Sequence, residues 1–380
     1  MSNTADLKFR IGLVGPSRVG KTSLVATILR DAQRVLAQTT ARIEPHGTAS
    51  ERRLQQHDNE LRGALWAGEF NPGAVAGTEG VFTFELRLDP GEGGDALVFG
   101  LQDFPGGWID AAARGTHRNA EWESYKEWLA RCSVLIAPIE ATVLMEATAA
   151  SQKRAVPSML AIQQVQAVVE DWAKNRRTAS HEPALLLLCP VKCESYFSDN
   201  GGNGHGAGKL HDDVCTLFNS VITSARATAP HVKVAYAPVD TMGCVDLIRT
   251  QWRADQNAPG GFDFTATYRV RSPGELRPKG GASVMALLCR DVLTSIHEGE
   301  KLLEKQLSGK FSEASERATR KEGFFKDIWI KLNGERDKRK LAATDVHNCL
   351  QQQQKQVAVL ARALKPLAEF QMDSRVIELE

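Results

Sequence analysis

Several common signatures are missing from this 380-residue chain. Charge of one sign is not in excess: 47 Lys and Arg against 46 Asp and Glu leave a formal net charge of +1, so no global field points to nucleic acid. Paired cysteines are missing too. The seven cysteines stand at 132, 189, 193, 215, 244, 289 and 349 without a CxxC spacing. That scatter argues against a disulfide framework or a zinc site and for reduced cytosolic thiols. No apolar run approaches the ~18 residues of a membrane span, and the opening "MSNTADLKFR" has no apolar core of a secretory signal. The expectation is a cytoplasmic protein, long enough for one large domain with insertions or two modest ones.

What is present begins with "FRIGLVGPSRVGKTSLVATILR", residues 9–30. "KFRIGLV" reads as a buried strand, and "TSLVATILRDAQRVL" places apolar residues at helical spacing. Between them lies GxxxxGK[ST], spanning Gly15 to Thr22. A strand, a glycine loop and a helix in that order are the context in which this motif cradles phosphates. Backbone N–H groups from Gly15, Ser17, Arg18, Val19 and Gly20 to Ser23 would face the phosphate oxygens. Lys21 would reach the β- and γ-phosphates, and the Thr22 hydroxyl would ligate Mg²⁺. The competing reading is a glycine turn that caps a helix and binds nothing.

Four later segments fit the same chemistry. In "ALVFGLQDFPGGW" a buried strand ends at Asp103, where a carboxylate can hold Mg²⁺, and Gly106 three residues on could offer its N–H to a γ-phosphate. Between loop and strand, "GTEGVFTFELRLDPGEGGDALVFGLQD" reads as two strands joined by a turn. Thr78 stands at the mouth of the first strand, where it could close over Mg²⁺ and the γ-phosphate or be an ordinary loop threonine; Thr39, Thr40 and Thr48 are weaker rivals. In "PALLLLCPVKCESYF" a strand delivers Val191, Lys192, Cys193 and Glu194. Glu194 could pair with guanine N1 and N2, or the segment is a charged loop after a strand. "VKVAYAPVDTMG" is a further strand and turn, where a backbone N–H near Val239 or Asp240 could meet the base carbonyl.

With these pieces in order, the chain resembles a P-loop GTPase of the TRAFAC class over roughly residues 8–300. "GPSRVGKTSL" and "DFPGGW" are similar to the corresponding stretches of the YcjX-like bacterial family, and double-GTPase modules of bacterial conflict systems are a close alternative. The resemblance implies an α/β fold, a P-loop NTPase with a mostly parallel sheet flanked by helices. It also implies Mg²⁺ and GTP or GDP as ligands, with ATP the lesser alternative. Val191 and Glu194 depart from the family's [NT]KxD, which puts strict guanine specificity in doubt. Where many small GTPases hold a water-orienting Gln, this chain has Gly107. Hydrolysis is therefore expected to be slow unless another group helps. Arg18 resembles in position the internal arginine of guanylate-binding-protein and atlastin GTPases; it could instead face solvent or dock a partner.

The expected organisation is a P-loop GTPase-like domain over 1–304, with insertions near 31–75, 198–209 and 250–282, and a helical C-terminal extension over 305–380. "ARIEPHGTASERRLQQHDNELRGALWAG" looks mostly helical, covering the site or meeting a partner. "SDNGGNGHGAG" has too little apolar matter to order itself. "RADQNAPGGFDFTATYRVRSPGELRPKGGAS" suggests an inserted hairpin. Trp122 and Trp128 are expected in the core. Between Lys301 and Asn348 there are 12 Lys and Arg against 8 Asp and Glu. Within that stretch Phe325, Ile328, Trp329 and Leu332 form a stripe that packs on the domain or docks a partner or membrane surface. A heptad seam from Ala343 to Leu367 follows, with Pro366 expected to end or kink it.

The expected function is a Mg-dependent GTP-binding switch with slow hydrolysis, engaging an unidentified protein partner through its switch segments or C-terminal helices. Rival expectations are a hydrolysis-poor nucleotide-binding scaffold and an ATPase of the same fold.

Overall fold

Alternation along the strands decides the layering. In β1 (Leu7–Leu13) the side chains of Leu7, Phe9, Ile11 and Leu13 join one apolar core, and in β6 (Val134–Glu140) the residues divide, Val134 and Ile136 to that core, Leu135, Ala137 and Ile139 to another. β7 (Leu185–Val191) is buried throughout, the pattern of a parallel strand covered on both faces. The computed structural model describes residues 7–72, 80–91, 95–105, 119–179, 182–202, 205–254, 261–271, 275–307, 324–333 and 343–380.

Among these residues, eight strands form one mixed, mostly parallel sheet. Its central strands, in spatial order β8 (Lys233–Tyr236), β7, β6, β1 and β5 (Leu97–Asp103), are parallel. β4 (Phe82–Asp89) runs antiparallel beside β5, and β2 (Arg42–Pro45) antiparallel beside β4. The hairpin expected between Thr78 and Asp103 is thus the β4–β5 pair. At the opposite edge β11 (Ile377–Leu379) pairs antiparallel with β8. Strand order reverses at β1: the chain first fills one side of it and then the other, which opens a crevice at the carboxyl ends of the strands.

Helices cover both faces. One carries α1 (Lys21–Leu36), the 27-residue α9 (Gly281–Leu307), α10 (Phe324–Asn333) and α11 (Ala343–Ala368). The other carries α3 (Asn119–Ala130), the short α4 (Ala141–Met145), α5 (Ala150–Met159), α6 (Ile162–Arg177), α7 (Ala207–Leu217) and α8 (Asn219–Thr228). Trp122 stacks near Phe104 and Tyr125 in this second core, and the half-buried Trp128 packs against it. No helix among the described residues is long and apolar enough to cross a membrane.

The chain beyond residue 305 adds to the same core and the same sheet. Ile328, Trp329 and Leu332 are buried against the face that holds α1, together with Val357, Leu360, Leu364 and Leu367. These three members of the apolar stripe therefore pack internally. Pro366 sits inside α11, two residues before its end, where it breaks little of the ladder.

A second sheet stands over the crevice: β9 (Val245–Ala254) and β10 (Phe262–Val270) form an antiparallel hairpin, flanked by the two-residue β3 (Glu69–Phe70). The hairpin starts earlier than the composition suggested, directly after the turn that follows β8. β3 follows α2 (Thr48–Ala67) after Gly68, so α2 bridges from the β2–β4 edge to this hairpin.

Candidate functional site

The glycine loop turns from β1 into α1 at the crevice. Gly20 has φ of +111°, a left-handed conformation that side chains resist. It also offers no side-chain cap, so the first N–H groups of α1 have no side-chain cap at the N-terminus where the helix dipole is positive. Lys21, only 6% exposed, folds back over the loop. Its Nζ donates to the carbonyls of Gly15 at 3.2 Å and Pro16 at 3.0 Å, and lies 3.5 Å from Asp103 Oδ1. Burial lowers the Lys21 pKa below the ordinary lysine range, and the Asp103 carboxylate opposes that shift. The arrangement is a buried cation, an uncapped helix start and a strand-end carboxylate within one small volume. Chemically it can hold an anion and, with the Thr22 hydroxyl, a hard cation.

Lys192 braces the loop from the next strand but one. Its Nζ donates to the Arg18 carbonyl at 3.1 Å and pairs with Glu140 Oε1 at 2.7 Å. Arg18 and Lys192 both have left-handed backbones, φ 62° and 56°. For non-glycine residues such conformations cost about 1–3 kcal/mol each. The two strained residues are joined by that one hydrogen bond at the mouth of the crevice.

One pocket gathers many of the expected residues. Arg18, Gly20, Lys21, Thr22, Ser23, Asp103, Val191, Lys192 and Glu194 line it; Gly15, Ser17 and Val19 complete the loop without lining the pocket. Thr78, Gly106 and Gly107 lie outside the described residues.

The other end of the pocket differs from expectation. The Val239 N–H donates to the Pro190 carbonyl at 2.8 Å and that of Asp240 to the Lys279 carbonyl at 2.9 Å, so both amides are engaged inside the protein. Val239 is fully buried and does not line the pocket. Glu194 does line it, but its Oε1 accepts from the amides of Met242 at 3.0 Å and Gly243 at 3.3 Å. Burial raises the Glu194 carboxyl to about 7; nearby Asp240 adds repulsion, and the amides of Met242 and Gly243 oppose the rise.

Arg375 joins this end of the site without any motif around it in the sequence. Its guanidinium, almost wholly buried, donates to Asp240 Oδ2 at 2.7 Å, pairs with both oxygens of Asp199 and stacks over the Phe197 ring at 4.0 Å. Asn200 Nδ2 also donates to Asp240 Oδ2, at 2.8 Å. This network explains why Ser198–Asn200 forms a 3₁₀ turn where composition suggested a segment unable to order itself. The ordering groups come from residues 240, 279 and 375 rather than from within the tract.

The remaining wall is α2, through Arg53, Gln56, His57, Glu60, Leu61 and Ala64, together with Met242, Val245 and Tyr268. The helical segment between residues 41 and 68 thus stands on the pocket. A scan of protein families finds none that matches the chain, and a search of curated proteins finds no match either.

Proposed function

We propose that the pocket binds a purine nucleoside triphosphate with Mg²⁺, and that the protein is a slow GTPase whose nucleotide state controls a protein partner. The carrying observation is Lys21: a buried ammonium held by the Gly15 and Pro16 carbonyls at an uncapped helix start, with Asp103 beside it. Burial lowers its pKa despite Asp103, and a triphosphate tail would add counter-charge at the same point.

The donor set suits magnesium. Among the described residues no cluster of three or more His, Cys, Asp or Glu could cage a metal. At the loop end of the pocket the Asp103 carboxylate and the Thr22 hydroxyl are instead the kind of sparse hard-oxygen set that Mg²⁺ shares with phosphates and water. When bound, the ion would neutralise charge on the phosphates; Thr22 and Asp103 would hold it, with Thr78 joining from the adjoining segment. The parallel strand order with an antiparallel β4 beside β5 supports a P-loop arrangement, and the chain's likeness to YcjX-like GTPases rests on the two quoted motifs.

A second reading, an ATPase of the same fold, is favoured by Glu194, because one of its oxygens is committed to backbone amides rather than left open for guanine. Competition between GTP and ATP for a fluorescent nucleotide at millimolar Mg²⁺ separates the two, with phosphate release measured in parallel. Preference for GTP supports the first reading, preference for ATP the second. Failure of the chain to take up either nucleotide would end both.

A further inference from the structure

β6 is apolar until its last residue. Val134, Leu135, Ile136, Ala137 and Ile139 are buried, and the strand then ends on an acid, Glu140. Its register partner on β7 is Val191, the residue before Lys192, so the two charged side chains meet at the carboxyl ends of neighbouring parallel strands. Lys192 Nζ lies 2.7 Å from Glu140 Oε1, with the side chains only 14% and 17% exposed. The Thr142 hydroxyl approaches the same carboxylate oxygen at 3.4 Å. The ion pair is not needed to join the strands, because β6 and β7 already run in register from Val134 and Leu185 to Glu140 and Val191.

What the pair does reach is the glycine loop, since the same Nζ donates to the Arg18 carbonyl at 3.1 Å. That carbonyl and the Val19 N–H belong to one planar trans peptide unit and point in opposite directions. Holding the carbonyl toward Lys192 therefore turns the N–H away from it, and a loop of this kind meets phosphates with such N–H groups. Arg18 keeps a φ of 62°, which a residue with a Cβ leaves readily unless something holds it. A lysine alone is a weak holder, because its strongly hydrated ammonium sits on a flexible four-carbon stem. A charge-assisted bond to a carboxylate on a buried strand removes that freedom.

We propose that Glu140 is a positioning residue for the bound nucleotide: it fixes Lys192 on the Arg18 carbonyl and so keeps the glycine loop in its phosphate-receiving conformation. This inference rests on the nucleotide reading above. Glu140 is not among the residues that line the pocket, and it acts on the ligand only through Lys192. Its removal should therefore cost binding without costing the fold, and should cost nothing further once Lys192 is gone.

The test uses the whole 380-residue chain, with affinity for a fluorescent GTP analogue at millimolar Mg²⁺ and thermal melting of the nucleotide-free protein. Glu140→Gln keeps the size and removes the charge; it is expected to weaken affinity about 10-fold while the melting temperature stays at the wild-type value. Lys192→Met is expected to weaken affinity by at least as much, and the double variant to bind within about twofold of Lys192→Met alone. Affinity of Glu140→Gln within about twofold of wild type overturns the proposal. So do losses that multiply in the double variant, which would make the two residues independent, and a melting temperature that falls along with affinity, which would make Glu140 a support of the fold only. Should Glu140→Gln fail to fold, Glu140→Asp decides, since it keeps the charge on a stem too short for the 2.7 Å contact. Affinity weakened at least about threefold at an unchanged melting temperature supports the role, and unchanged affinity removes it. Wild-type chain that takes up nucleotide no better than its Glu140 variants leaves the nucleotide reading standing; no uptake by wild type sinks both.

Discussion

The two ends of the pocket are built in opposite ways. At one end, residues 15–23 do most of the work as a single contiguous loop and helix start, joined by Asp103 from the neighbouring strand. At the other end, Glu194, the 240–243 turn, the β9–β10 hairpin and Arg375 arrive from nearly 200 residues of chain. The first end concentrates strain and desolvated charge: Gly20, Arg18 and Lys192 in left-handed conformations, and a buried Lys21 whose pKa burial lowers. The second is saturated, every carboxylate oxygen of Asp240 bonded and the Glu194 Oε1 held by two amides. A helix start without a side-chain cap is available to a ligand; polar groups already paired hold the fold.

The sharpest way to break that comparison is Arg375→Ala. Asp240 is fully buried, and removing its cation leaves the carboxylate uncompensated, which costs about 3–5 kcal/mol of unfolding free energy. Urea titration measures it, and Asp240→Asn in the same background should recover part of the loss. If the single substitution left stability unchanged, the saturated end would not be the structural one.

Lys21→Ala addresses the open end. Loss of a charge-assisted contact to phosphate, about 1.5–3 kcal/mol, predicts nucleotide affinity weaker by about 10- to 150-fold. Calorimetry with GTP and Mg²⁺ checks it, and undiminished binding would take the loop out of the site.

Glu194→Gln gives the smallest effect and refines the boundary between the two ends. A carboxyl raised to about 7 in the fold binds its proton more tightly than in the unfolded chain. Its contribution is therefore full at acid pH and is lost as pH rises from the ordinary carboxylate range through about 7. The glutamine variant should show a flatter melting temperature across that window. Matching slopes in variant and wild type would show that the group carries no linked proton.

The same division explains what the sequence disclosed. Gly15 to Thr22 is legible because a single loop needs fixed spacing, and Asp103 because it ends an apolar run; the alternation of β1, β6 and β7 likewise implies a buried, mostly parallel sheet. Arg375 carries no local signal, since "DSRVIELE" matches no motif and its partners lie at 199 and 240. β2 and β11, of four and three residues, are too short for periodicity to register. Only its position after a strand points to Val239, and the Pro190 carbonyl takes its amide. The α2 wall left a faint trace: the spacing of 53, 56, 57, 60, 61 and 64 defines one helical face, but a mostly polar face reads as solvent-facing until the pocket is seen. Thr78 and Gly106 lie beyond the described residues, and their roles rest on sequence.

The tie between Asp240 and Arg375 also sets a timetable for synthesis. The two are 135 positions apart, so at ribosomal speed the guanidinium emerges on the order of ten seconds after the acid it neutralises. During that interval Asp199 and Asp240 face each other without their shared cation, and the nascent turn around them has every reason to stay hydrated and open. A chaperone, or a stalled ribosome, would meet a half-made molecule whose glycine loop has already been translated while its far wall still waits for a distant arginine.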